Sequence, residues 1–586
     1  MELEKAIRIL CRWRNKLFPD RLFIFITSII VGTLAGLAAV ALKTSIHFFQ
    51  NIFHTSLDDQ FNTYFFFIYP IAGLLLSTFY IQKFRNGNLS RGIGNVILEI
   101  SNNKGIIAKH KLYSQLISSF FTLIFGGSAG LESPISVTGA AIGSNISIIS
   151  RVGEKQRKLL LGCGAAGGIA AIFNSPIAGV LFALETLVSE LSIPNFIPLL
   201  ISSASATVVS KLLFTGQPFK LITESWEINS LPFYILLGII CSIVSLYNIK
   251  VYYYFQKTFG KWKKPYSKAL TGGTILGLIL FIFPALYGEG YNIVESLLNG
   301  KYLILFNRSL LWQSQNNIWI LLVYGFLILM LKVVATSLTV NSGGNGGMFG
   351  SSLFAGALLG FVFSRFINIM GFSHLSEINF IVVAMAGILA GVIHAPLTAI
   401  FLIAEITGGY VLFIPLMIVV SISYLITNFF EPYSVYTKRI AESGDFILYN
   451  TDRLILGNIQ LSKIIEKDFT PLNQNDTMGK LKELIERSSK TIFPILDEND
   501  NLVGIVYLDN IREIIFDKSL ENLILMKDIM TIPEAVAEMK DSMYDVVKKL
   551  DELNLWHLPV VKENKYVGIV SKSKILNHYR QLLTKT

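Results

Sequence analysis

The sequence predicts an all-α, polytopic membrane protein built from two copies of one unit with broken helices, followed by a cytoplasmic α/β pair. Three observations predict this. First, 52% of the 586 residues are hydrophobic and only 15% are charged, whereas a water-facing surface needs about a quarter of the chain charged. Second, the charge is unevenly placed: residues 451–586 hold 19 Lys/Arg and 21 Asp/Glu, while the first 450 residues hold 31 and 19. Lipid is the solvent implied for the front of the chain and water for the tail. Third, two stretches of the apolar part repeat each other. This composition excludes an ordinary soluble enzyme and a disordered chain. Cys11, Cys163 and Cys241 are too few for a disulfide framework or a thiolate metal cluster.

The elements follow in order. Residues 1–21 carry six Lys/Arg and no cleavage site after a short apolar core, so they are expected to form a cytoplasmic N-terminal segment and not a secretory leader. The charged tail is expected on the same side. The clear apolar runs lie at 22–42, 64–81, 112–125, 196–214, 233–254, 269–286, 318–338 and 411–429. Between them, 126–150, 159–187, 343–363 and 381–406 are too short or too Gly-rich to span as single helices. Broken helices are tolerated in a membrane where protein or a water-filled cavity covers the freed backbone groups, and in transporters they recur in both halves. Tight helix packing through small residues also collects Gly and Ala. The expected membrane domain is 22–440, with halves at about 22–215 and 232–440, then a linker at 441–458.

The repeat is read from two pairs of segments. Asn174-Ser175-Pro176 leads into an apolar run ending at Glu185, and His394-Ala395-Pro396 leads into one ending at Glu405. Upstream, the Gly-rich stretch 126–134 matches 343–351. The offsets are nearly equal, so residues around 90–200 and 310–425 are expected to be two copies of one unit. Each Gly-rich stretch precedes a helix-compatible run, 135–149 and 353–363. A helix N-terminus carries unpaired N–H donors and roughly half a positive charge. Two of them meeting at the midplane would hold a dehydrated anion without gripping it as a bare cation would. Glu132 sits in the first Gly-rich turn. An intramembrane carboxylate is costly and functional by default. Glu132 is read as a built-in anion competing for those N–H donors, with a helix N-cap as the plainer alternative.

These segments resemble the CLC family of voltage-gated chloride channels and proton-chloride antiporters. The resemblance covers nearly the whole chain. It implies two inverted halves, a central anion site at helix N-termini, and a homodimer in the lipid bilayer with one pore per subunit. The family's Gly-Lys/Arg-Glu-Gly-Pro motif is matched by Gly130-Leu131-Glu132-Ser133-Pro134, which implies Glu132 as the gate with Leu131 in place of the basic residue. Gly-x-Phe-x-Pro is matched by Gly347-Met348-Phe349-Gly350-Ser351, which implies anion contact at Met348, Phe349 and Gly350. Gly-Ser-Gly-Ile-Pro is matched only by Ser90-Arg91-Gly92-Ile93-Gly94. Arg91, at the position of an ion-contacting Ser, either contacts the anion or snorkels into an aqueous vestibule. Tyr433 and Tyr436 are candidates for the inner tyrosine, and spacing to the linker favours Tyr436. Thr186 takes the position of the inner proton-relaying Glu of proton-coupled members. Its hydroxyl does not titrate near neutral pH, so it cannot take up and release a proton as a carboxylate does.

The tail holds two similar blocks, expected at 459–520 and 521–586. Each reads as a helix, then strand, polar turn, strand and helix: strands at 493–496 and 502–506, then at 558–561 and 566–570, with preceding helices at 478–487 and 542–553. The blocks resemble a pair of CBS domains, which in many proteins bind adenine nucleotides. Tyr507 and Asn510 in the first block, and Ser571 and Lys574 in the second, occupy the corresponding positions, without the family's ribose-binding Asp.

The reading that results is a gated channel for chloride or a similar small anion. The alternative is a proton-coupled anion antiporter of the same fold. A cation transporter with a regulatory tail would need acidic or carbonyl-rich midplane sites, and the Gly-rich segments offer few carboxylates besides Glu132. No nucleophile–base pair or His/Cys cluster points to an enzyme or a metal, no feature points to a nucleic-acid partner, and a lone residue such as His394 is read as packing.

Overall fold

The computed structural model describes residues 19–55, 62–87, 89, 91–187, 193–214, 223–309, 313, 317–442 and 459–585. Most of the predicted N-terminal segment and linker, and Ser90, therefore lie outside the described residues. The chain divides into two compact units, Met1–Phe446 and Ile447–Thr586.

The first unit is a series of helices that counts off twice. The first copy runs α1 (Asp20–Thr55), α2 (Asn62–Arg85), α3 (Ile93–Asn102), α4 (Lys111–Ile124), α5 (Glu132–Ile149), α6 (Glu154–Phe173), α7 (Pro176–Thr186) and α8 (Ile193–Leu213). The second runs α9 (Leu231–Gly260), α10 (Pro265–Ile282), α11 (Tyr291–Leu298), α12 (Ile318–Ser342), α13 (Met348–Ile369), α14 (Glu377–Ile393), α15 (Pro396–Ile406) and α16 (Phe413–Phe430), closed by a short α17 (Lys438–Glu442). The packing repeats as well. α5 lies on α6 as α13 lies on α14, and α1 packs on α8 as α9 packs on α16. Eight of the described helices are long and apolar enough to cross a membrane.

The breaks fall where the sequence places them. α6 ends at Asn174 and α14 at His394, both left-handed, with φ of 54° and 60°. Pro176 and Pro396 then open the next helix at its first turn, where a missing N–H costs nothing. Glu185, at the end of α7, accepts from the Leu397 and Thr398 N–H groups at 2.9 and 2.7 Å. Glu405, at the end of α15, accepts from the Ile177 and Ala178 N–H groups at 3.0 and 2.9 Å. Each carboxylate thus caps the N-terminus of the opposite copy's helix. Both contacts can form only if α7 and α15 run antiparallel. Since they are the same element of the two copies, the copies cross the membrane in opposite senses.

Two elements differ from expectation. Segment 343–363 is not broken: α13 runs unbroken from Met348 to Ile369. Gly356 and Gly360 within it lie against the α14 backbone, where an added Cβ would come within 2.4 Å of Met385 Cα and 2.3 Å of Phe380 O. Close packing there offsets their poor helix propensity. Run 112–125 forms α4, which has 14 residues, too few to span alone. The helices α5 and α13 also begin at Glu132 and Met348, a few residues before the apolar runs that marked them.

The second unit is a duplicated α/β module. In the first copy β1 (Leu472–Asn473) pairs in parallel with β2 (Ile492–Leu496), which pairs antiparallel with β3 (Leu502–Tyr507). β4 (Ala537–Glu538), β5 (His557–Lys562) and β6 (Lys565–Ser571) repeat this order. Amphipathic helices α18 (Met478–Arg487) and α21 (Met543–Glu552) precede the central strands, with the four-residue α19 (Leu508–Ile511) and α20 (Met526–Ile529) between them. α22 (Lys572–Lys585) closes the second copy. The helix expected after β3 is only the single turn α19. The copies are tied together by Glu466, which exchanges backbone hydrogen bonds with Ile569 at 2.8 and 3.0 Å.

Replacing Glu185 or Glu405 by Ala leaves two N–H groups at a helix N-terminus without their carboxylate acceptor. Each variant is expected to lower the stability of the purified protein by about 1–3 kcal/mol, read as a lower thermal midpoint in detergent. A change at one site and none at the other contradicts the reciprocal clasp.

Candidate functional site

The site forms where the two Gly-rich stretches meet. Gly130 and Gly347 pair as a two-residue antiparallel bridge, Gly130 N–H to Gly347 O at 3.0 Å and Gly347 N–H to Gly130 O at 2.9 Å. These are corresponding residues of the two copies, so the bridge lies on the pseudo-two-fold axis. It fixes the N-termini of α5 and α13 side by side. Glycine suits the close approach: a Cβ on Gly130 would lie 2.9 Å from the Gly350 backbone nitrogen.

Glu132 is fully buried. Its Oε2 accepts from the Gly350 N–H at 3.3 Å, and its Oε1 accepts from the Tyr291 hydroxyl. The first carboxylate of α5 thus sits on the N-terminal turn of α13. A second carboxylate is present that the sequence reading did not single out. Glu289 accepts from the Leu131 N–H at 3.1 Å. Lys332, also fully buried, donates to Ser128 Oγ at 2.9 Å, Gly288 O at 3.0 Å and Glu289 O at 3.3 Å, and lies 4.6 Å from the Phe354 ring centre. Both were visible as charges within or beside apolar runs, the signal that singled out Glu132.

Of the residues expected to contact an anion, Leu131 and Gly350 have their N–H groups taken by the protein's own carboxylates. Both amides are therefore occupied by protein groups in this structure. Met348 and Phe349 are the first two residues of α13, and their N–H groups have no intrahelical acceptor by position. The Phe349 ring turns away, stacked on Phe173 at 5.4 Å.

A cavity of about 740 Å³ leads to this point, walled at its end by Ser133, Gly346, Gly347 and Met348. Tyr436 lines it, and its buried hydroxyl has no hydrogen-bond partner. Tyr433 is exposed and does not line it. Gly94, where the family motif has Pro, packs on Tyr436: a Cβ there would lie 2.6 Å from the Tyr436 carbonyl oxygen. Arg91 lines the same cavity and reaches Val340 O at 3.4 Å. Lys263, Lys268 and Arg439 line it too, and among the described residues no carboxylate does. Four cations without a counter-charge, walled by low-dielectric protein, concentrate anions. Thr186 lies apart from these groups, its hydroxyl returned to Phe182 O at 2.6 Å. In the second unit the Ser571 hydroxyl donates to Glu466 at 2.5 Å and accepts from the Lys574 N–H at 3.3 Å.

Inverted copies, paired helix N-termini and a cationic approach define a membrane protein that passes anions. Residues 72–428 match the family model described as voltage gated chloride channel, and residues 461–517 and 526–581 match that of the CBS domain. The chain belongs to the voltage-gated chloride channel (CLC) family. It is 27% identical to a putative chloride channel protein ClcB-like of Ralstonia nicotianae, over 64% of this chain and 85% of that one. It is 26% identical to chloride channel protein CLC-f of Arabidopsis thaliana, over 80% and 67%. It is 27% identical to the H(+)/Cl(-) exchange transporter ClcA of Vibrio campbellii, over 68% and 85%. Among solved structures it superposes on a slow cyanobacterial Cl-/H+ antiporter with a TM-score of 0.62 at 21% identity, covering 73% of this chain and 99% of that one. A eukaryotic CLC transporter superposes with a TM-score of 0.61 at 17% identity, covering 94% and 98%.

The partnerless hydroxyl makes a specific prediction. Tyr436→Phe is expected to weaken anion binding by about 1.5 kcal/mol, a hydrogen bond to a charge, measured by calorimetric titration of the purified protein. Stability is expected to change by less than about 0.5 kcal/mol, because no protein partner is lost. A stability loss with unchanged binding contradicts this placement.

Proposed function

We propose that the protein is a gated channel for chloride or a similar small anion, with Glu132 as the gate. The observation that carries this is the Glu132 carboxylate on the Gly350 N–H, at the N-terminus of the opposite copy's helix. A carboxylate on that amide blocks the place an anion would take, and moving it opens the path. The anion would then rest on the Met348 and Phe349 N–H groups and the Tyr436 hydroxyl, with Arg91 in the approach. The names of the relatives favour chloride. The cavity's four cations weigh against a cation transporter.

Thr186 favours a passive channel, because its hydroxyl does not titrate and cannot relay protons as a carboxylate would. A second reading, proton-coupled antiport, is favoured by Glu289 beside Glu132, which supplies a further protonatable group at the gate. We place the chain in the bilayer as a homodimer, with the N-terminus and the tail on the cytoplasmic side. We read the tail as a dimerising or gating module. An adenine nucleotide at Ser571 and Lys574 would have to displace the internal Glu466 bond.

The test is chloride efflux from proteoliposomes with external pH recorded at the same time. Efflux without uphill proton movement is expected, and Glu132→Ala is expected to raise it by about an order of magnitude, since one charge-assisted contact is removed from the path. Uphill proton movement driven by chloride replaces the channel reading with the antiporter. Unchanged efflux in Glu132→Ala removes the gate assignment.

A further inference from the structure

One four-residue turn, Gly288 to Tyr291, supplies three separate contacts to the gate region. Its backbone carbonyls at 288 and 289 are held by Lys332, which also holds Ser128 on the approach to α5. Its Glu289 carboxylate takes the Leu131 N–H at 3.1 Å. Its Tyr291 hydroxyl holds Glu132. Gly290 allows the turn, with φ of 90°, and the Phe354 ring fills the space where a Cβ would lie, 2.4 Å away. The cavity described above is not lined by Glu132, Glu289, Tyr291 or Lys332. This cluster therefore lies beyond the helix N-termini as seen from the cavity.

Each of the two carboxylates occupies an amide at a helix N-terminus. Glu132, from α5, occupies an amide of the first turn of α13. Glu289 occupies the amide of Leu131, the residue that caps α5. We propose that Glu289 is a second gating carboxylate, which competes with the permeating anion for the Leu131 amide as Glu132 competes for that of Gly350. This rests on Glu132 being the gate. Glu289 faces Glu132 from α5, Lys332 from α12 and Lys43 from α1, with Tyr291 next to it on α11. Two carboxylates with two buried lysines form a cluster whose net charge changes when a proton arrives. When Glu289 takes up a proton, its charge-assisted bond to the Leu131 N–H weakens and the negative charge that repels an entering anion is lost. Lys332 keeps the backbone of the turn in place through that change, because its bonds are to carbonyl and hydroxyl oxygens and not to the carboxylate. The gate then responds to two protonations, one of them on a group other than Glu132.

The experiment is chloride flux through the full chain in proteoliposomes, measured from about pH 5 to pH 8. The samples are wild type, Glu132→Ala, Glu289→Gln and the double variant. Glu289→Gln is expected to raise flux at about pH 7.5 by roughly threefold or more and to flatten the profile. Glu132→Ala is expected to raise flux yet keep a residual pH dependence, which the double variant loses. If Glu289→Gln reproduces the wild-type profile while Glu132→Ala opens the path, the second gate is wrong and the first stands. If neither variant alters flux, both fall. Should Glu289→Gln fail to fold, Glu289→Asp keeps the charge but draws the carboxylate back from the Leu131 N–H. A rise of about twofold at neutral pH supports the proposal, and an unchanged profile overturns it.

Discussion

Two hydrogen bonds between Gly130 and Gly347 hold the centre of the membrane unit together. Within a bilayer every backbone polar group needs a partner inside the protein. A helix that starts in mid-membrane breaks that rule at its first turn. Here the two copies meet it jointly. The peptide groups just ahead of α5 and α13 bond to each other, and the amides next to them are satisfied by side chains of the other copy or of the 288–291 turn. The same logic operates at the break between α6 and α7 and at its counterpart, where Glu185 and Glu405 cap each other's helices. In the proposed function the anion uses what this closure leaves over among the described residues, the first amides of α13.

Those leftover donors are of modest strength. Met348 and Phe349 offer backbone N–H groups, and Tyr436 offers a hydroxyl without a partner. Arg91, Lys263, Lys268 and Arg439 line the cavity that leads to this point, where they attract anions. The division suits passage: long-range attraction raises local concentration, while neutral donors at the narrow point allow release. Arg91 in place of a hydroxyl shifts this balance toward attraction. Gly94 in place of the family's Pro makes room for the Tyr436 backbone, so the two departures in one motif have separate causes.

Much of this was legible in the sequence, for a physical reason. Symmetric contacts demand that both copies keep the residues that make them, so Asn174 and His394, Pro176 and Pro396, Glu185 and Glu405 appear as a repeat. The central strands of the tail are written in short apolar runs and were legible in the same way. What the sequence did not reveal came from side-chain contacts between residues far apart in the chain. Glu289 and Lys332 reach Leu131 and Ser128 across about 160 and 200 residues of chain, and nothing local marks where their side chains end. The start of α13 was misjudged because its glycines read as a break. Packing against α14, which no local propensity expresses, keeps that helix whole.

The most direct test of the central claim is to locate the bound ion. Crystals of the full chain soaked in bromide would show its position by anomalous scattering. The expected peak lies at the N-terminus of α13, within hydrogen-bond reach of the Met348 and Phe349 N–H groups and the Tyr436 hydroxyl, at about 3.3 Å. Bromide found only among Arg91, Lys268 and Arg439, with none at the helix N-terminus, would contradict a site built from backbone donors.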